Sequence, residues 1–570
     1  MQRMYVEVMA DLGQPEGHAE AWDWLAERMH EYPGDRRYWP WKRAKRVDRW
    51  RPIAMVGATP AVLEDDSTAG IAALYLYRPP DCATVTADDP RGMARAAAEV
   101  LLSPANRRTS LVVVDGSAWL LESILANLVP TWVEDGYTIT PLIGGHVIKG
   151  MVVRKGRERW TLSDLSAMTG STADELLDGV APDQVSPTLE EARLATLCRA
   201  VTRLQETTRA TFGVYLRPTV AGTAMRAAGF DLPDGVMIPR PPPWVVTLCR
   251  SGGGFRGGYV FGQRYRGPAW KVDARRLYAR ALMEPLPTLW AFGPGVRDGV
   301  EVAGLFMCTV SGQALHPVTL PQWQGPEEGF SNRPYTGTTA IAVLPSTEYR
   351  GLRAMGLRVE PGFGWVGTHP MSLRGFIDRL QSLIREHGTR SREGRLAKLL
   401  GNTLYGRMAV SPKRDLMQYG LRQPSGSSWP VVRLDGTIVD NLWAVEEERY
   451  SPGQQVGTAA MVTGWARSHL YEEMARRIRE GATIVHAHTD GYVATGPVPA
   501  DLPWETDEIG AWRLEAIDDD AIVARAAGYV VGAETRWSGT PHEGRRTIEL
   551  AWTQRGWLLQ GQQVVSLGRS

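Results

Sequence analysis

The stretch VHAHTDGYVAT, residues 485–495, alternates like two short strands around a tight turn. At the turn Asp490 stands between His488, two residues earlier, and Gly491. Two other stretches carry groups capable of chemistry. In AWKVDARRLYARAL, residues 269–282, a short strand delivers Asp273 into a helix-like run, with Tyr278 five residues on. EGRLAKLLGNTLYGRMA, residues 393–409, reads as a helix with Lys398, Asn402 and Tyr405 at i, i+4 and i+7, hence on one face, and Gly406 after them. Carboxylate, imidazole, ammonium and phenol groups hold ions, accept or give protons, and donate to oxyanions. Each also has a plain structural reading. Asp-Gly is a favoured hairpin turn, an Asp commonly ends a strand, and a Lys-Asn-Tyr face is usually solvated.

In this order the three stretches resemble the three polymerase motifs of the family B DNA polymerases. DARRLYA resembles the first, D-x-x-S-L-Y-P, and HTDG resembles the third, D-T-D-S. KLLGNTLYG is similar to the second, K-x-x-x-N-S-x-Y-G, almost residue for residue. Further elements resemble the protein-primed branch, found in small phages with linear genomes. FRGGY, residues 255–259, resembles its Y-x-G-G element between exonuclease and polymerase domains. VTGWARSHL, residues 462–470, resembles the helix leading into the third motif. IGAW, residues 509–512, followed by Tyr529, resembles a later palm segment. The resemblance runs from about residue 52 to at least 530 and is strongest from 255 on.

The resemblance implies a multidomain α/β (α+β) right-hand polymerase with palm, fingers and thumb, preceded by a ribonuclease H-like exonuclease-type domain. In-line phosphoryl transfer needs its developing charge neutralised, and two divalent cations held by carboxylates do this. Asp273 and Asp490 would hold Mg²⁺ or Mn²⁺, with the Ala274 carbonyl and His488 as further ligands. Lys398, helped by Arg385, would meet the incoming triphosphate. Tyr278 would lie under the sugar and exclude a 2′-hydroxyl, while Asn402 and Tyr405 line the nucleotide pocket. Phe255, Arg256, Gly257, Gly258 and Tyr529 would contact DNA. The implied partners are template and primer DNA and dNTPs. A priming terminal protein would be a separate chain.

The chain departs from the family in places. His488 replaces the first Asp of the third motif, Arg276 a Ser, and Ala279 a Pro. Ala527 stands where the family's Lys-x-Tyr has its Lys, with Tyr529 kept, which weakens the expected grip on the primer. The exonuclease motifs lack their acids. The first strand reads IAMVGAT, residues 53–59, where D-x-E is expected. Asp115 in VVVDGSAWLL is poorly placed, and LCRAV, residues 197–201, ends in Val201 where the third motif has Asp. The expectation is an exonuclease fold kept as scaffold, without proofreading. Two alternatives stand beside the polymerase reading. One is a same-fold enzyme with unusual initiation, making primers or adding untemplated nucleotides. The other is a catalytically silent DNA-binding scaffold.

These motifs need a large frame to position them. With 570 residues and 43% hydrophobic content, the chain can build several domains. Residues 1–51 read as a helical extension ending in a basic, aromatic run, DRRYWPWKRAKRVDRWR, residues 35–51, suited either to a solvated face or to phosphates and bases. Residues 52–215 alternate strand-like runs such as TSLVVVDGSAWLL with helix-like ones, as an α/β domain does. Residues 216–570 form the polymerase part, with fingers at about 374–410, an insertion at about 411–455 and a short thumb at about 533–570. Net charge is +1, so any nucleic-acid surface is local. The four cysteines are scattered without C-x-x-C spacing, and no apolar run approaches membrane length, so the expectation is a cytoplasmic, membrane-free protein.

Overall fold

The computed structural model describes residues 17–29, 41–42, 52–60, 71–87, 89–114, 120–144, 147–178, 189–229, 232, 237–411, 413–424, 428–432, 438–448, 453–526, 528–537, 557–560 and 563–566. They fall into two compact units. The first comprises residues 1–36, 238–374 and 454–570, and the second 37–237 and 375–453. Contact density thus groups the segment 375–453 with the part drawn from sequence as 52–215.

The first unit is built on a seven-stranded antiparallel sheet. Its strands are β1 (Val260–Gly262), β2 (Tyr265–Ala274), β3 (Thr483–His488), β4 (Gly491–Thr495), β5 (Trp512–Arg525), β6 (Gly528–Val531) and β7 (Glu534–Trp537). The spatial order is β1-β3-β4-β2-β5-β6-β7. The strand with Asp273 therefore lies beside the hairpin with Asp490, although more than two hundred residues separate them. Period-2 alternation divides the sheet's faces. Trp270, Val272, Tyr492 and Leu514 point into a core shared with a second, six-stranded sheet and with helix Val456–Arg479. Lys271, Asp273, Arg513 and Glu515 occupy the other face, where they meet one another.

Two helices frame this sheet: α1 (Leu277–Leu282) follows β2 directly, and α2 (Val456–Arg479) leads toward β3. The upstream helix His18–Arg28 belongs to the same unit, its Trp22 edge-on to Trp244 and its Trp24 edge-on to Trp323, each at 5.7 Å. Of the basic run 35–51 only Trp41–Lys42 is described, so the expected DNA contact there lies outside the described residues. Most of the expected thumb, 538–556 included, lies outside them as well.

The second unit carries a ten-stranded mixed sheet. Its strand Ile53–Pro60 runs parallel to Ser110–Val113, which in turn runs parallel to Glu158–Asp164. The run TSLVVVDGSAWLL is shorter as a strand than its composition suggests: the strand ends at Val113 and a helix begins at Leu121. The expected insertion supplies strands Lys413–Tyr419, Ser428–Val432 and Ile438–Glu448, which extend the same sheet through Tyr419 opposite Ile139. Helix Arg392–Met408, and helix Arg374–His387 from Gly375 on, also belong here. Among the described residues no helix is long and apolar enough to cross a membrane.

Candidate active site

Register brings the two aspartates together. Asp273 pairs with Gly491 across β2 and β4, and the Ala274 amide donates to the Asp490 carbonyl at 2.7 Å. A Cβ at Gly491 would sit 2.7 Å from the Val272 carbonyl oxygen and 3.2 Å from Asp273 Oδ1, so glycine is what allows this approach. The turn itself is tight. Thr489 adopts φ 57°, in the left-handed region, and its hydroxyl lies 2.7 Å from Asp490 Oδ1 and 2.8 Å from the His488 carbonyl, able to donate to either.

Burial and neighbouring acids both work against ionisation of Asp273. Burial pushes the Asp273 carboxyl up to about 8; Asp490 and Glu515 add to the rise, and Lys271 and Arg513 oppose it. Arg513 lies 3.8 Å from Asp273 and also pairs with Glu515, while Lys271 reaches Glu515 at 2.6 Å and contacts Glu534. Their charge is thus shared with other acids. Paired carboxylate oxygens suit a hard divalent cation. Among the described residues no group of three or more His, Cys, Asp or Glu side chains is placed to hold a metal ion. Burial, followed by Arg536, holds the His488 imidazole below its ordinary range against the pull of Asp490, so the ring is neutral near pH 7.

Tyr278 is buried on α1 with its hydroxyl against Gly258. Lys398 and Asn402 are exposed and Tyr405 half-buried on one face of helix Arg392–Met408, whose other face buries Leu396, Leu400 and Leu404. Arg385 is exposed on the helix before it. These four residues belong to the second unit, and the aspartate pair belongs to the first.

Two side chains expected to contact DNA are buried instead. Arg256 does not present its guanidinium to DNA: it is buried, donating to both Glu348 oxygens at 2.7 Å. Arg467 from α2 grips the same carboxylate at 2.9 and 2.7 Å. Tyr529 is likewise buried, 2% exposed, with its hydroxyl donating to Glu534 at 2.8 Å. Phe255 packs into an apolar cluster with Trp323 and Phe330 at its edge, whereas Gly257 is exposed. Sequence reading missed Lys271, Arg513, Glu515, Glu348 and Arg467. Lys271 had a signal, since position i−2 on a strand shares the face of Asp273; Glu348 had none.

In the second unit Ile53–Pro60 contributes no carboxylate, Val201 is buried, and Asp115 lies outside the described residues. Helix Leu189–Phe212 packs on this strand so closely that a Cβ at Gly57 would lie 2.8 Å from Glu190 Oε1. That carboxylate, overlooked in the sequence, lies within 3.8 Å of Arg193.

The first unit thus presents two aspartates from a strand and an adjacent hairpin of an antiparallel sheet, and the second unit carries the Lys-Asn-Tyr helix. The fold is similar to that of Phi29 DNA polymerase, a protein-primed family B polymerase. Its complex with primer-template DNA and incoming nucleotides matches at a TM-score of 0.63 and 15% identity, over 87% of this chain and 93% of that one. Its orthorhombic crystal form matches at 0.63 and 15%, over 87% and 94%. Its complex with single-stranded DNA matches at 0.57 and 16%, over 86% and 93%. No protein-family model and no curated protein matches the chain.

Proposed function

We propose that the protein is a template-directed DNA polymerase that transfers nucleotidyl groups from dNTPs to a 3′-hydroxyl and does not proofread. The observation that carries this reading is the Asp273–Asp490 pair, half-buried and brought together by strand register on the fold of a DNA polymerase. Asp273 and Asp490, with the Ala274 carbonyl and His488, would hold Mg²⁺ or Mn²⁺. Such ions would supply the positive charge that phosphoryl transfer requires. Lys398 and Arg385 receive the triphosphate, Tyr278 excludes a 2′-hydroxyl, and Asn402 and Tyr405 line the pocket. The likeness to a complex with primer-template DNA and incoming nucleotides supports the same partners here. Primer extension on a defined template, with Mg²⁺ and with Mn²⁺, tests the reading. Absence of incorporation with either metal overturns it.

One observation favours a second reading, unusual initiation. The hydroxyl of Tyr529 is engaged by Glu534, and Ala527 replaces the family lysine, so the primer end lacks two expected contacts. Nucleotide addition without a primer, or without regard to template, would identify that activity in the same assay.

His488 sets an expected metal preference. A neutral imidazole in place of a carboxylate removes one negative charge and offers nitrogen, which suits Mn²⁺ better than the harder Mg²⁺. Wild type should therefore favour Mn²⁺, and His488→Asp should move the preference toward Mg²⁺. Incorporation rate against each metal's concentration measures this. Identical profiles for the two proteins mean that Asp273 and Asp490 set metal choice alone.

The second unit should show no metal-dependent 3′→5′ degradation of single-stranded DNA, because its strand Ile53–Pro60 and Val201 offer no carboxylate at the expected places. End-labelled oligonucleotide incubated with Asp490→Asn isolates any such activity. Trimming that persists in this variant, and tracks the protein through purification, counts against the reading.

A further inference from the structure

The FRGGY loop resembles a DNA-contacting element, yet its contacts run inward to the turn that bears Asp490. Thr489 holds a left-handed conformation that a threonine keeps only when its surroundings impose it. Within the turn, the Asp490 amide donates to the His488 carbonyl at 2.7 Å. From outside, the Thr489 amide donates to the Tyr259 carbonyl at 2.8 Å, and Val260 pairs with His488. Gly258 lies flat against the turn. A Cβ there would be 2.7 Å from Thr489 Cα, 2.7 Å from Thr489 Cγ2 and 2.7 Å from the Tyr278 hydroxyl. One glycine thus touches both the turn with Asp490 and the residue assigned to the sugar.

The loop is itself held from behind. Arg467 Nη1 donates to the carbonyls of Arg256 and Gly257 at 3.0 and 2.8 Å, and its remaining donors go to Glu348. Arg256 returns to Glu348 and also donates to the Thr319 carbonyl at 2.5 Å. All three side chains are buried, so these bonds are shielded from water. We propose that the buried Arg256–Glu348–Arg467 triad and Gly258 are positioning elements for Asp490 and Tyr278. They hold the loop as a buttress behind the catalytic turn, and DNA contact is not the loop's main task. The inference rests on the polymerase reading for the roles of Asp490 and Tyr278, but the geometry it concerns is independent of that reading.

Adjacent glycines supply the test. Neither Gly257 nor Gly258 has a positive φ, so alanine costs the backbone similarly at both. A Cβ at Gly257 meets nothing within 4 Å, whereas one at Gly258 meets the turn. Full-length wild type, Gly257→Ala and Gly258→Ala are compared by direct Mn²⁺ titration (electron paramagnetic resonance of free Mn²⁺) and by primer extension. Gly258→Ala should lose about 10- to 100-fold in Mn²⁺ affinity and in kcat, as loss of a supporting contact does, with DNA affinity kept. Gly257→Ala should match wild type in all three. Unchanged Mn²⁺ affinity in Gly258→Ala, or weakened DNA binding in exposed Gly257→Ala with metal binding intact, overturns the proposal. If Gly258→Ala does not fold, Arg467→Lys replaces it. That variant keeps the charge beside Glu348 but cannot span both loop carbonyls, and it should show the same loss in metal affinity. Wild-type Mn²⁺ affinity there also overturns the proposal. A wild type that binds Mn²⁺ but incorporates nothing would refute the polymerase reading, and the titrations would still decide the buttress.

Discussion

Asp273→Asn and Asp490→Asn should each reduce nucleotide incorporation by about 10³-fold or more, since losing a ligand carboxylate forfeits several kcal/mol of charge stabilisation in phosphoryl transfer. Both variants should still fold and bind DNA. Asp273→Asn should also gain stability without metal. The folded pKa of Asp273 is about 8, above the ordinary carboxylate value, so the folded state resists its ionisation. The sign follows from linkage: stability is lost as pH rises from the unfolded value of about 4 through the folded one. In EDTA at pH 9, Asp273→Asn should therefore melt several degrees above wild type, and the two should converge near pH 4. Adding Mn²⁺ should raise the Tm of wild type and leave the variant nearly unchanged. Substantial incorporation by either variant, or a wild-type Tm indifferent to Mn²⁺, would sink the assignment of the pair as cation ligands.

Glu348→Gln should cost about 3–5 kcal/mol, the range seen when one partner of a buried ion pair is removed and the other charge stays buried. Here two guanidiniums are left behind. Burial alone would raise the Glu348 pKa, but Arg256 and Arg467 overcome it and hold the group below its ordinary value. Its stabilising charge is therefore present above the ordinary carboxylate range and is lost only as pH falls through the lowered value. The loss in Glu348→Gln should be the same at pH 6 and pH 8. The exposed pair Arg266–Asp520, with side chains 41% and 49% exposed, is the control: Asp520→Asn should cost no more than about 1 kcal/mol. Urea unfolding of the three proteins measures both. Equal losses for Glu348→Gln and Asp520→Asn would mean that the triad is solvated in solution.

Much of the site was legible in the sequence because it rests on local rules. Asp-Gly between alternating runs specifies a hairpin, and i, i+4, i+7 spacing places Lys398, Asn402 and Tyr405 on one helix face whatever the helix packs against. Motif order then indicated the fold. Alternation also put Lys271 on the face of Asp273, although the side chains it would meet there could not be named. What only the tertiary structure decided is where polar side chains end. Arg256 and Tyr529 have the chemistry to touch DNA, yet both are buried against carboxylates. Glu348 lies 92 residues from Arg256 and 119 from Arg467, so no spacing rule links them. The same holds for Gly258, which reads as a flexible turn residue and is required to be small because Thr489 and Tyr278 converge on it. Backbone conformation follows from neighbours in the chain. Burial and charge pairing follow from strands and helices brought together across hundreds of residues, and that is settled only when the two sheets and helix Val456–Arg479 close on a common core.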